Sequence, residues 1–109
     1  MHKRPDTLQG SLDLLILKTL QRGPNHGFGI TLHIQSASDG ALLVEEGSLY
    51  PALQRLEREK AIKGEWEVTQ NGRRARYYHL TAAGQRRLAE VEQSWSLLTR
   101  SVSKVLRSV

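Results

Sequence analysis

Cysteine is absent from this chain of 109 residues. That excludes a disulfide framework and thiolate metal sites, and it leaves a reducing compartment open. Long apolar runs are absent as well. The greasiest stretch, "LDLLILKTL" at residues 12–20, is too short and too broken to span a bilayer or to form a signal core, so no membrane association is expected and the location is read as cytoplasmic. No internal repeat, linker or low-complexity segment interrupts the chain, which suits one unit with a modest core. The histidines His2, His26, His33 and His79 share no ligand spacing, and no clustered Asp completes a set, so neither a metal nor another cofactor is expected. Catalytic groupings are missing too. Ser48 has no paired base, no Gly-rich phosphate loop is present, and Glu45 and Glu46 are adjacent rather than convergent. An enzyme is not expected.

Positive charge is what the chain does have. Sixteen Lys and Arg stand against eleven Asp and Glu, a formal net charge of +5. This suggests an anionic partner, and nucleic acid is the commonest for a small domain of this kind.

The order of elements follows from periodicity and breakers. Residues 11–21 are apolar nearly all round, so a helix there has to be covered on every side. The domain itself can cover one side; a second subunit is expected on the other, with Leu15 among the residues it meets. Gly23-Pro24-Asn25 breaks the chain, and a second helix is predicted from about His26 to Ser38. "ALLV", residues 41–44, is a candidate short strand. A third helix starts near Glu46, with Pro51 early in it. The period then changes to two. Ile62, Gly64, Trp66 and Val68 alternate with charged residues, Tyr78 and Leu80 alternate with Tyr77 and His79, and Asn71-Gly72 marks the turn of a hairpin. Trp66 falls on its inner side and is read as core. Thr81 is a suitable N-cap for a last long helix. Leu88, Val91, Trp95, Leu98, Val102, Val105 and Val109 recur along it at 3-4 spacing, an a/d seam expected to pair across a dimer.

Three helices followed by a two-stranded wing make a winged helix-turn-helix, a mostly α (α+β) fold. The expected division is a DNA-binding unit over 1–80 and a dimerisation helix over 81–109. In such a unit the third helix enters the DNA major groove. Leu49, Ala52, Leu53 and Leu56 form its apolar stripe, with Gly47, Pro51, Gln54 and Arg58 opposite and Tyr50 and Arg55 on the flanks. Small residues allow close approach there, while Tyr50, Gln54, Arg55 and Arg58 can reach base edges or phosphates.

Three motifs together carry a family resemblance: "HGFGI" at 26–30, "GSLYPALQRLE" at 47–57 and "NGRRARYYHLT" at 71–81. The chain resembles the PadR family of bacterial transcriptional regulators over residues 10 to about 95, and the single helix after the wing is similar to its small subfamily. The resemblance implies a homodimeric winged-helix repressor that binds an inverted-repeat operator and releases it when an effector binds. The residues expected to contact DNA are His26, Ser48, Tyr50, Pro51, Gln54, Arg55, Arg58, Arg73, Arg74 and Arg76. Phe28 stands where the family usually has Tyr, so a hydroxyl contact is lost. Glu45 and Glu46 suit a helix N-terminus but repel phosphate.

Alternatives stay open at several positions. Arg73, Arg74 and Arg76 read as phosphate contacts or as a solvated basic loop. His26 reads as a phosphate contact or as a helix cap. Trp95 reads as the wall of a pocket for a planar aromatic effector at the dimer axis, or as plain interface packing; the resemblance to aromatic-binding members supports the pocket. The rival to the whole is a winged-helix module that binds protein and not DNA. It would need an apolar or acidic outer face on the third helix, which Gln54, Arg55 and Arg58 oppose.

Overall fold

A computed structural model describes the backbone of residues 5–108 and the side chains of residues 11–108. Val109 and His2 lie outside them. The elements run α1 (Pro5–Gln21), β1 (Asn25–His26), α2 (Gly27–Ala37), α3 (Glu46–Arg58), β2 (Ile62–Val68), β3 (Arg74–Leu80) and α4 (Ala82–Arg107). The three strands form one antiparallel sheet in the order β1-β3-β2. Among the described residues no helix is long and apolar enough to cross a membrane.

The core is built where periodicity placed it. Ile16, Leu17 and Leu20 of α1, Ile30 and Ile34 of α2, and Leu49, Ala52, Leu53 and Leu56 of α3 are all buried, joined by Ile62, Tyr78 and Leu88. The α3 stripe expected from the sequence is therefore the face that packs inward. α3 begins at Glu46 and runs through Pro51. Proline has no N–H, so the carbonyl of Gly47 loses its i+4 donor, and both residues sit on the exposed side where water can replace it. At the other end Lys60 adopts a positive φ of 68° and Ala61 N–H donates to the Leu56 carbonyl at 2.9 Å, which closes the helix.

The hairpin turns where Asn71-Gly72 placed it. Gly72 has φ of 80°, and the Thr69 N–H donates to the Arg73 carbonyl at 2.6 Å. Thr81 caps α4, its hydroxyl oxygen accepting from the Gly84 N–H at 2.9 Å. Gly84 lies against the Ala61 carbonyl so closely that no side chain fits there.

Two expectations fail. Residues 41–44 form no strand. The free edge of β3 is taken instead by Asn25–His26, directly after α1, with Asn25 opposite Tyr78 and His26 opposite Tyr77. "ALLV" is apolar for another reason: Leu42, Leu43 and Val44 line a groove of about 280 Å³ with Ser11, Leu12 and Leu15 of α1. Trp66 is not core. It is 59% exposed, because the face of the wing that carries it looks onto a cleft rather than onto packed helices.

α4 leaves the core as it proceeds. Leu88 is 1% exposed and belongs to the core of its own chain, Val91 is half-buried, and Trp95, Leu98, Val102 and Val105 are exposed. Among the described residues of the expected seam, Leu88 is thus fully covered by its own chain and Val91 partly so.

Candidate nucleic-acid interface

α3 presents Ser48, Tyr50, Pro51, Gln54 and Arg58 to solvent, a consequence of the buried stripe on its opposite side. Beside it lies a cleft of about 690 Å³, walled by the start of α2 (His26, Gly27, Phe28), by Tyr50, and by the wing residues Trp66, Arg73, Arg74 and Arg76. The structure therefore brings Tyr50 of α3, the N-terminus of α2 and the wing arginines around one cleft. The tight junction between α2 and α3 comes from a glycine. A Cβ on Gly27 would lie 2.7 Å from the Tyr50 hydroxyl oxygen, so only glycine lets that ring sit there.

His26 serves as the N-cap of α2. Its Nδ1 accepts from the Gly29 N–H at 3.0 Å, and its ring meets Tyr77 edge-on with centroids 5.1 Å apart. The capping alternative is thereby realised. Because Nδ1 accepts, the proton of the neutral ring belongs on Nε2, which remains a donor type suited to a phosphate.

Wing and α3 are locked by Glu57. Its Oε2 accepts from Arg76 Nη2 at 2.7 Å and from the Gly64 N–H at 3.2 Å. A Cβ on Gly64 would lie 2.6 Å from Arg76 Nε, so the arginine crosses the strand only because residue 64 is glycine. Arg76 is half-buried and holds the wing in place. Arg73 and Arg74 are exposed near the tip.

Arg55, expected on the flank of the outer face, turns away from it. Its Nη1 and Nη2 donate to the two oxygens of Asp13 at 3.0 and 2.6 Å. Asp13, on α1, is 5% exposed. Arg87 of α4 completes the group, 2.5 Å from Glu59 and 3.5 Å from Asp13. The bidentate Asp13 bond raises the Arg55 pKa, and the Arg87 hydrogen bond lowers that of Glu59. Four charges, two of each sign, thus join α1, the C-terminal end of α3 and α4. Arg55 is committed to this cluster rather than to the surface beside Gln54. The pair joins residues far apart in sequence, so the pattern of α3 alone does not name the partner of Arg55.

The histidine expectation also needs amendment. Glu65, Glu67 and His79 have ligand atoms within 4.8 Å of one another. The hairpin register brings them together, with Lys63 opposite His79 and Glu65 opposite Tyr77. His79 Nε2 lies 3.1 Å from Glu67 and 3.6 Å from Glu65, and Lys63 lies 3.2 Å from Glu65. Lys63 pairs with Glu65 and the His79 ring nitrogen lies within hydrogen-bonding distance of Glu67, so the group is a ladder of polar contacts along the wing.

Comparison with known proteins gives the family. A PadR-like transcriptional regulator from Bacillus cereus is 30% identical and superimposes with a TM-score of 0.81 over 95% of this chain and 99% of its own. A PadR family transcriptional regulator from Eggerthella lenta is 33% identical, with a TM-score of 0.76 over 94% of this chain and 88% of its own. An uncharacterized protein from Lysinibacillus sphaericus is 28% identical over 85% of each chain. The model of the transcriptional regulator PadR-like family matches residues 16–90. With a winged-helix fold, an exposed outer face on α3 and a basic wing already in place, the chain belongs to the PadR-like family of transcriptional regulators, which are DNA-binding proteins and not enzymes.

Proposed function

We propose that the protein is a homodimeric repressor that binds an inverted-repeat operator and leaves it when a small molecule binds at the dimer axis. Residues 1–80 act as the DNA-binding unit and residues 81–109 as the dimerisation helix, in the cytoplasm. The observation that carries this reading is the far half of α4. Trp95, Leu98, Val102 and Val105 keep their a/d spacing while remaining 42–72% exposed. An apolar seam sustained at that spacing is suited to a second helix and is costly to leave wet.

The groove beside α1 supports the same pairing. It is lined by Leu12, Leu15, Leu42, Leu43 and Val44, and α1 is the helix whose apolar residues surround it on all sides. One arrangement covers both surfaces: the α4 of each subunit packs on the α4 and α1 of its partner. Two α3 helices then point the same way, about one DNA turn of 34 Å apart, as an inverted repeat requires. On each half-site Gln54 and Arg58 face base edges, Tyr50 and Ser48 face the adjacent backbone, and Arg73 and Arg74 meet phosphates. Trp95 lies on the seam, where two copies meet and can clasp a planar aromatic effector.

Leu98→Lys tests the arrangement. Leu98 is 48% exposed, so about half of its side chain is left to bury. That is worth about 1 kcal/mol per subunit, or about 2 kcal/mol per symmetric dimer, before the cost of burying the lysine. Light scattering at micromolar concentration is expected to give a dimer for the native chain and mostly monomer for the variant, with operator affinity lost in parallel. A well-folded native monomer would refute the dimer and the operator geometry together.

A further inference from the structure

Trp66 has no packing reason to be where it is. It is exposed, yet it lies under two guanidinium groups, with Arg74 Cζ 5.1 Å and Arg76 Cζ 5.8 Å from its ring centroid. Register explains the company. Trp66 is opposite Arg76, and Val68 opposite Arg74, so all four lie on the face of the wing that borders the cleft. Arg76 is held from the other side by Glu57 of α3 at 2.7 Å. A continuous line of contacts therefore runs from the recognition helix through Glu57 and Arg76 to Trp66 and then to Arg74.

The two ends of this line differ. Arg76 has a carboxylate, so the indole adds little to its placement. Arg74 has the indole as its only partner among the contacts found for the described residues. A free arginine samples many rotamers, and ordering it on binding costs affinity. A π face beneath the guanidinium removes part of that cost beforehand while leaving its N–H groups directed outward, since stacking and in-plane hydrogen bonding use different parts of the group.

We propose that Trp66 is a positioning residue for DNA binding: its ring holds Arg74 extended over the cleft, where the guanidinium meets a backbone phosphate. The proposal rests on the reading of the wing as a DNA contact. It makes Trp66 contribute through Arg74 rather than by touching DNA, and it requires an aromatic face rather than mere apolar bulk.

The test uses the full-length chain and a labelled duplex of random sequence, with affinity read by fluorescence anisotropy across a salt series. Trp66→Phe, Trp66→Leu and Trp66→Ala are compared in the native and Arg74→Ala backgrounds. Leu and Ala should weaken binding about fivefold, and Phe by less. None of the three should weaken the Arg74→Ala protein further. The salt slope should fall by about one for Arg74→Ala and stay unchanged for Trp66→Leu, because the second variant keeps the charge and loses only its orientation. If Leu and Phe bind alike, or if the Leu loss persists in Arg74→Ala, Trp66 does not act through Arg74. If the native protein shows no salt-dependent binding to any duplex, the DNA reading of the wing fails, and this proposal falls with it.

Discussion

Asp13→Asn is the most informative single change in the charge cluster that joins α1, α3 and α4. The carboxylate is 5% exposed and receives both Nη atoms of Arg55 at 2.6 and 3.0 Å, with Arg87 at 3.5 Å. Asparagine keeps the shape, removes the charge and turns an amide N–H₂ toward a guanidinium. The balanced cluster of two acids and two arginines becomes net positive around a side chain that is itself buried. Breaking such a pair from one side costs about 3 kcal/mol, because the partner left behind is still desolvated. At about 2.1 cal/mol/K per residue, unfolding this chain of 109 residues carries about 0.23 kcal/mol/K, so the melting temperature should fall by about 13 °C. Thermal unfolding followed by circular dichroism measures it. A fall under about 4 °C would put the pair in the class of exposed ion pairs, worth less than 1 kcal/mol, and would refute the reasoning. Arg55→Lys then separates the two roles open to Arg55. Lysine keeps the charge but cannot bind Asp13 through two parallel N–H groups. Stability should drop while preference among operator bases is retained. Unchanged stability with altered preference at one base pair would return Arg55 to the DNA face.

Other outcomes follow from the same geometry. Gln54→Ala should lose about 1–3 kcal/mol of discrimination at one base pair per half-site, measured against a panel of operator variants; equal losses on all sequences would contradict base contact. A planar aromatic cation should quench tryptophan fluorescence in the native protein and not in Trp95→Ala; equal quenching in both would place the ligand elsewhere, with Trp66 the exposed alternative. Because Arg87 lowers the folded-state pKa of Glu59, the contribution of that pair is fully present above the ordinary glutamate range and is lost as pH falls through the lowered folded value. Melting temperature should therefore decline with acidification below about pH 4.5 more steeply in the native chain than in Glu59→Gln. Parallel declines would count against the pairing.

The sequence was most legible where one element decides its own pattern. The stripe Leu49, Ala52, Leu53 and Leu56 faces the core because helical period alone puts those residues on one side, and the turn at Asn71-Gly72 follows from a local need for positive φ. Legibility failed where the opposite surface decides. β1 is two residues long, too short for any alternation, and it exists because β3 has an edge to fill. "ALLV" is apolar because it lines a groove beside α1, not because it pairs. Alternation correctly placed Trp66 on the side of Gly64 and Val68, but that side of the wing meets a cleft. Arg55 is the most instructive. On a helical wheel it flanks the outer face, and its neighbours are the same whether it meets a phosphate or a carboxylate. One signal could have settled it. Asp13 stands three, four and seven residues before Ile16, Leu17 and Leu20, so the spacing that buries those three buries the acid with them. A carboxylate on the core side of a greasy helix requires a cation with several donors. The third helix carries such a cation, Arg55, on the flank of its buried stripe.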